Sequence, residues 1–365
     1  NNRYRIHLGE FMSDFKYSEQ VDIENIQKLR KMLSQLPAFF KDFFRGIEPR
    51  TLSRTRIAYA YDIKVFLEFL LNENPSIKST YSKISDIPLS VLENLSVTDI
   101  EEFMEYLKYR DNDGRKISNK ENAVKRKIST LKSVFKYFYR VEKISENIME
   151  RVQLPKLHTK EIIRLDIDEV ALLLDEAESG DMLTDKQKAY HEKTKNRDLA
   201  LLSLLSLLLG TGIRVSECVG LNISDVDFKN NGILIHRKGG KEVTIYFSDE
   251  VKEALQNYCD ERVLILEESG HEGAFFLSMQ NKRMSVRSVE NLVKKYARII
   301  SPLKKITPHK LRSTYGTNLY KETGDIYLVA DVLGHSDVNT TKKHYAAIED
   351  DRRRSARNAV KLRES

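Results

Sequence analysis

Cysteine is nearly absent from this chain. Cys218 and Cys259 are its two, too few for a disulfide framework and without metal-ligand spacing. A disulfide-stapled scaffold and a cysteine-rich zinc module are therefore excluded, and a reducing cytoplasm is the simpler setting. Long apolar runs are lacking too: the longest uncharged stretch, Leu199 to Ile213, is shorter than a membrane span and ends at Arg214. It reads as a buried core helix. There is no signal-peptide pattern, no repeat with a period of 20–50 residues and no low-complexity segment. An initiating Met is missing as well, which leaves truncation of the N-terminus open. Neither charge sign dominates: 61 basic residues stand against 54 acidic ones, a net +7, so a polyanionic partner is a weak inference from charge alone.

What is present suits a soluble, globular protein, with 41% apolar and 32% charged residues. At 365 residues the chain exceeds one typical core and implies two domains, with or without an extra arm. Residues 1–48 read as an N-terminal helical extension, with a helix over 23–36 and an aromatic cluster of Phe39, Phe40, Phe43 and Phe44 for packing. Over 51–71 the apolar positions Tyr59, Ile63, Phe66, Leu67 and Leu70 recur at helical spacing. Ser53, Arg54, Thr55 and Arg56 in its first turn suit a phosphate, or ordinary capping at a solvated end.

A turn at Pro88 precedes a helix to Tyr109, and a polar loop follows over 111–114. The next helix, 119–141, buries Val124, Ile128, Leu131, Phe135 and Phe138. Its other faces carry Lys120, Lys125, Arg126, Lys127, Lys132, Lys136 and Arg140 against the single acid Glu121. A charge run is usually a solvated face, yet this imbalance favours a DNA-facing helix. The segment from Ile144 to Arg164 loses periodicity, contains Pro155 and reads as the linker between two halves of a clamp.

The second half opens with a helix over 166–178, then a charged loop over 180–198 and the apolar helix 199–209. GILIHRKGGKEVTIYF is the clearest β signal, two β-rich runs meeting at Gly239-Gly240. Helices follow at 248–268, 286–300, 308–323 and 325–333. The fold class is therefore mainly α, with a small antiparallel sheet or hairpin in the second domain.

Metal-free exchange of a phosphodiester needs a nucleophile, cationic donors for the non-bridging oxygens and an acid for the leaving oxygen. The sequence offers candidates for each. Arg214 in LGTGIRVSE follows the buried helix, so a rigid core could hold it. Arg312 lies one helical turn from His309, behind Thr307 as an N-cap and Pro308 as first helical residue. Two guanidiniums can clamp a phosphate with paired planar bonds that lysine cannot copy. Lys238 stands at the hairpin tip, with Lys241 as its rival. His335 follows the helix-ending Gly334, with His344 as the competing histidine. Tyr345 is one of 17 tyrosines; only its place in this set singles it out. Taken singly, each residue has a plainer use: an ion pair, a soluble hairpin tip, a cap.

The ordered segments LLLGTGIRVSE, RKGGKE, TPHKLRSTYGT, VLGHSDVNTT and HYAAI together resemble the tyrosine recombinase (phage integrase) family. The resemblance is close over about 165–350 and looser over 49–150. It implies a SAM-like helical core-binding domain at 49–150, a linker at 151–164, a catalytic domain at 165–349 and a C-terminal segment that packs onto a neighbouring protomer, a part 350–365 could play unless it is simply a basic tail. It implies Tyr345 as nucleophile, Arg214 and Arg312 on the scissile phosphate, and Lys238 as proton donor to the leaving 5′ oxygen. His309 and His335 would assist, and Glu217 would orient its neighbours. Ser53, Arg54, Thr55, Lys125, Arg126 and Lys132 are the expected DNA contacts of the first domain. The covalent link retains the bond energy, so neither ATP nor a metal is implied.

Tyr345 stands ten residues after His335, where many members have nine; the longer spacing also occurs in the family. Ser313-Thr314 after Arg312 departs from the commoner His or Thr combinations and should affect packing only. The phrase DIPLSVLENLSVTDIEEF is similar to the single-protein Xer recombinases of streptococci and their relatives. That branch implies resolution of chromosome dimers at a dif-like site through a Holliday junction. It also implies a homo-tetramer on two double-stranded DNA sites (a monomer or dimer off DNA), an accessory regulator such as a DNA translocase or an element-encoded factor, and a cytoplasmic, nucleoid-associated location without membrane contact. Integrases of conjugative elements or phages share the catalytic half and often add an N-terminal arm-binding domain; the first 48 residues are too short and too helical for the usual one, though truncation could hide it. A type IB topoisomerase-like enzyme and a non-catalytic DNA-binding protein are the remaining alternatives.

Overall fold

The computed structural model describes residues 17–112, 114–156, 163–192, 195–237, 241–335 and 338. They form two compact units that divide after residue 160. The first contains α1 (Tyr17–Leu33), α2 (Phe40–Ile47), α3 (Ser53–Glu73), α4 (Pro75–Thr80), α5 (Leu89–Glu93) and α6 (Val97–Lys108), then strands β1 (Arg110–Asn112) and β2 (Arg115–Ile117) and the long α7 (Glu121–Arg140). The apolar stripes read from the sequence do face inward: Ile63, Phe66, Leu67 and Leu70 of α3 and Val124, Ile128, Leu131, Phe135 and Phe138 of α7 are all buried. Polar caps mark the shorter pieces. Ser96 and Asp99 form a reciprocal capping box at the start of α6.

Three expectations for this half are corrected. Residues from 17 onward are not a separate extension: Phe40, Phe43 and Phe44 are buried in the same core as Phe138. Phe40 meets Phe138 edge-on at 6.2 Å, and Phe43 meets Tyr137 at 5.6 Å. Such ring pairs contribute roughly 0.5–1.5 kcal/mol beyond the area they cover. The stretch expected as a polar loop holds a short antiparallel ladder, Asp111 opposite Lys116, whose turn uses Gly114 at φ +80°. The linker also starts later than its weak periodicity implied, because Ile144, Ile148, Met149 and Val152 are buried in the first unit.

The second unit comprises α8 (Ile167–Ser179), α9 (Asp185–Glu192), α10 (Lys195–Thr211), α11 (Val215–Gly220), strands β3 (Val226–Asp227), β4 (Gly232–His236) and β5 (Glu242–Tyr246), then α12 (Asp249–Arg262), α13 (Val286–Ile300), α14 (Pro308–Thr323) and α15 (Ile326–Leu333). α10 packs against α8, α12 and α14. Leu201, Leu204, Leu205, Leu207 and Leu208 are all buried, which is why the sequence there shows no polar face. The charged stretch 180–198 is not a plain loop: it holds α9 and the first turn of α10. α12 ends at Arg262, short of the expected 268, and the hairpin gains a third strand in the order β3-β4-β5. Among the described residues no helix is long and apolar enough to cross a membrane.

α8 is anchored at its start by Lys304, whose Nζ lies 3.0 Å from Asp166 and 2.5 Å from Glu169. The Lys304 hydrogen bond holds the Asp166 carboxyl below its ordinary value of 3.8. For Glu169 burial pushes upward, but bonds from Lys304, the Asp166 amide and Ser301 outweigh it and the net shift is down. Lys304 is raised in turn, chiefly by its bond to Glu169. Depressed carboxylates contribute stability above their unfolded values, and this is lost as pH falls through the folded ones. The raised lysine contributes below 10.5 and loses its share as pH climbs through its folded value. Lys304→Met is therefore expected to lower the melting temperature by a constant amount between about pH 6 and 9. The gap from wild type should begin to narrow below about pH 4 and go on narrowing as pH falls through the depressed folded values. A gap that does not narrow at all in acid would mean that the lysine stem, not its charge, supports α8.

Candidate active site

The site is built on two backbone turns that glycine makes possible. Gly212, at φ +64°, ends α10; a Cβ there would lie 2.4 Å from the Tyr315 ring and 2.9 Å from Leu333. Gly334, at φ +60°, ends α15 in the left-handed cap expected of a glycine. Between these turns sits Arg312, which is 5% exposed. Its Nη1 donates to the Gly212 carbonyl at 2.5 Å and its Nη2 to the carbonyl of Leu333.

Arg214 caps α11. Glu217, one turn on, accepts from the Arg214 amide at 2.8 Å and from its Nη1 at 2.8 Å. The other guanidinium nitrogen, Nη2, donates to the Gly334 carbonyl at 3.1 Å. Glu217 therefore holds both the backbone and the head of Arg214, with its own side chain only 6% exposed. The two guanidiniums that the sequence places 98 positions apart (312 − 214) end on the neighbouring carbonyls of Leu333 and Gly334. His335 is the next residue, half-buried, with its amide donating to Ala330 at 2.8 Å. His309 is exposed in the first turn of α14, three residues before Arg312. The buried Thr314 hydroxyl accepts the Leu165 amide at 3.0 Å.

Lys238 and Tyr345 lie outside the described residues. What flanks Lys238 is clear: His236 pairs with Glu242, and the Arg237 amide donates to Lys241 at 2.7 Å. The connection is therefore three residues, 238–240, and not a two-residue Gly-Gly turn. Lys241 sits on the β5 side of that closing bond, whereas Lys238 is the first residue of the connection.

The expected DNA contacts of the first unit fare unevenly. Arg54 is exposed at the start of α3, Thr55 is half-buried, and Lys125 is half-buried on α7. Ser53 is buried and its hydroxyl donates to Asp22 at 2.6 Å. Arg126 makes a two-pronged bond to Asp62 at 2.5 and 2.6 Å, and Lys132 donates to the Val152 carbonyl at 3.0 Å. These three already have partners within the fold, so exposure and basicity in the sequence overstated what they offer a phosphate.

Sequence reasoning missed Arg237. Its signal was its place, immediately before the hairpin lysine. Its guanidinium lies against α15, with Nη2 2.8 Å from the Val332 carbonyl. With Arg237, Arg214 and Arg312 set around one helix end and Glu217 paired with Arg214, these four side chains carry surplus positive charge. A phosphate is the ligand such a set suits.

The chain matches the phage integrase family over residues 163–352. A tyrosine recombinase XerS of Lactococcus lactis subsp. cremoris is 29% identical over 350 residues, covering 87% of this chain and 93% of that protein. A tyrosine recombinase XerC of Caldanaerobacter subterraneus subsp. tengcongensis is 31% identical over 326 residues, covering 87% and 84%. Among solved structures, the XerH site-specific recombinase bound to palindromic difH substrate in a post-cleavage complex aligns with TM-score 0.60 at 19% identity. It covers 80% of this chain and 76% of that one, a likeness of fold. The family match takes in just over half of the 365 residues and every one of the six proposed catalytic positions, and the chain belongs to the phage integrase family, the tyrosine recombinases.

Proposed function

We propose that this tyrosine recombinase exchanges strands at a specific DNA site of the dif type, as in resolution of chromosome dimers, through a 3′-phosphotyrosyl intermediate and a Holliday junction. One observation carries the reading: Arg214 and Arg312 are aimed at adjacent carbonyls beside His335, two planar donors for one phosphate. The phenol of Tyr345 gives up its proton, which His309 and His335 help to carry away, and its oxygen attacks phosphorus; the bond to the 5′ oxygen breaks, and Lys238 gives that oxygen a proton. Arg214 and Arg312 take up the charge that grows on the non-bridging oxygens, where each well-placed donor is worth about 3 kcal/mol. His309 and His335 assist at the phosphate, and Glu217 keeps Arg214 in register. The Xer-type names of both relatives favour the dif-like site. Assembly as a tetramer on two duplexes, with an accessory factor ordering the cleavages, belongs to the same reading. Integration and excision of a mobile element would use the same chemistry and is the second reading.

A nicked half-site that loses its leaving strand traps the covalent intermediate. Protease digestion of that adduct should return DNA attached to the peptide containing Tyr345. Attachment at any other tyrosine refutes the assignment. With two intact sites on separate molecules, joined products mark a recombinase, whereas relaxation of one circle without joining marks a topoisomerase. Sequencing the trapped DNA tells a chromosomal target from the ends of an element.

A further inference from the structure

The last turn of α15 is the meeting point of three arginines from three different elements. Arg237, at the end of the β4 strand, puts Nη2 at 2.8 Å from the Val332 carbonyl and Nη1 at 3.4 Å from that of Asp331. Arg312 of α14 takes Leu333, and Arg214 at the head of α11 takes Gly334. Four consecutive carbonyls, 331 to 334, thus each face a guanidinium. They lie at the helix C-terminus, where the backbone dipole is negative, and the Asp331 carbonyl accepts the Gly334 amide at 2.8 Å as well. Gly334 admits the third arginine: a Cβ there would lie 2.4 Å from Nη1 and 2.6 Å from Cζ of Arg237. The Arg237 head therefore lies on the peptide that leads directly into His335. Its backbone is fixed as well, through the amide bond to Lys241. Arg237 is pinned at both ends.

We propose that Arg237 is a positioning residue for strand cleavage, fastening the end of the β4–β5 hairpin to the C-terminal turn of α15. The next residue in the chain is Lys238, whose Cα can be no more than about 3.8 Å from that of Arg237. Fixing Arg237 against α15 thus limits where Lys238 can start relative to Arg214, Arg312 and His335. A lysine tip on an untethered hairpin would reach the leaving oxygen in few of its conformations. A looseness of about 1 Å in a reacting group costs on the order of a hundredfold in rate. Lysine in place of Arg237 could reach one carbonyl but could not hold two in a planar fork. The inference rests on the reading of Lys238 as the proton donor, and it adds a residue that the reading does not contain.

The test uses the full chain and two nicked half-sites, one ordinary and one with sulfur replacing the bridging 5′ oxygen. A thiolate leaves without a proton, so the sulfur substrate bypasses whatever supplies one. Arg237→Ala is expected to slow covalent trapping of the ordinary substrate by about 10- to 100-fold, with half-saturating DNA changed less than about threefold. On the sulfur substrate its rate should return to within about threefold of wild type, and Arg237→Lys should fall between the two. Lys238→Ala, run in parallel, should show the same rescue. If sulfur rescues Lys238→Ala but not Arg237→Ala, Arg237 is only a helix cap and the proposal is wrong. If sulfur does not rescue Lys238→Ala, the proton-donor reading itself fails and the proposal falls with it. Full speed for Arg237→Ala on the ordinary substrate also overturns it. Should the alanine variant fail to fold, Arg237→Lys is judged by the same comparison, since its stem still covers Gly334.

Discussion

Tyr345→Phe is expected to reduce the covalent protein–DNA adduct below detection while leaving DNA affinity within about threefold of wild type. The substitution keeps the ring and removes one oxygen, so any loss beyond the chemistry would be small. A phenol with a pKa near 10 attacks phosphorus well only where cations stabilise its anion. In the proposed site those cations are the guanidiniums of Arg214 and Arg312 at the α15 terminus. The strongest rival by position is Tyr315, one helical turn beyond Arg312. It is a poor nucleophile on two counts. Burial raises its pKa, which disfavours the anion. Its ring is also packed over the Gly212 turn, where a Cβ would come within 2.4 Å of it. Tyr327, exposed on α15, is the informative control, and Tyr327→Phe should trap at the wild-type rate. Suicide-substrate trapping read on a denaturing gel decides the matter; an adduct from Tyr345→Phe would move the nucleophile to another tyrosine.

Much of this arrangement could be read from residue order, and what could not has physical causes. α13 and α14 occupy the spans expected from spacing and caps: Ser285 accepts the Ser288 amide at one start, while Thr307 and Pro308 mark the other. Periodicity works there because one face is apolar and the ends carry local signals. Over 17–48 it found a helix, expected at 23–36 and observed as Tyr17–Leu33, but not where that segment packs, since a phenylalanine cluster shows that something is buried but not against what. It failed at 180–198 because α9 is short and highly charged, with little apolar stripe to display. Arg214 and Arg312, the two arginines proposed for the phosphate, were singled out by a fixed order of motifs, and the structure brings them to adjacent carbonyls. Arg237 was not, because its role depends on carbonyls 95 positions away (332 − 237), and nothing local to RKGGKE announces them. The same blindness inflated the DNA-facing list. A basic residue on a helix looks solvated until its acid is found on another helix.

That acid is Asp62, and Asp62→Ala is expected to destabilise the N-terminal unit by about 3–5 kcal/mol. Its carboxylate is 1% exposed inside α3, and α7 presents three donors to it. Arg126 binds at 2.5 and 2.6 Å, Lys127 Nζ at 3.0 Å and Thr130 Oγ1 at 2.9 Å. The cost of losing it falls unequally. The Arg126 side chain is 50% exposed and can turn to water, whereas that of Lys127 is 11% exposed and cannot. Alanine therefore strands a buried ammonium, and the melting transition of this unit should drop by roughly 10 °C. The instructive comparison is Asp62→Leu combined with Lys127→Met, which removes the buried pair together. It should recover most of the loss, because an apolar pair of similar volume avoids the desolvation that two charges suffer. If Asp62→Ala costs under about 1 kcal/mol, Lys127 finds another partner and the cluster is not what sets α3 against α7. If the double replacement is as unstable as the single one, the carboxylate matters through Arg126 and Thr130 and not through charge balance. The expected ordering has a bearing on DNA as well, because Arg54 and Lys125 stand on the same two helices. The buried clasp then fixes the spacing of those two cations, so the folded double variant should bind DNA with an unchanged salt dependence only if α7 keeps its register.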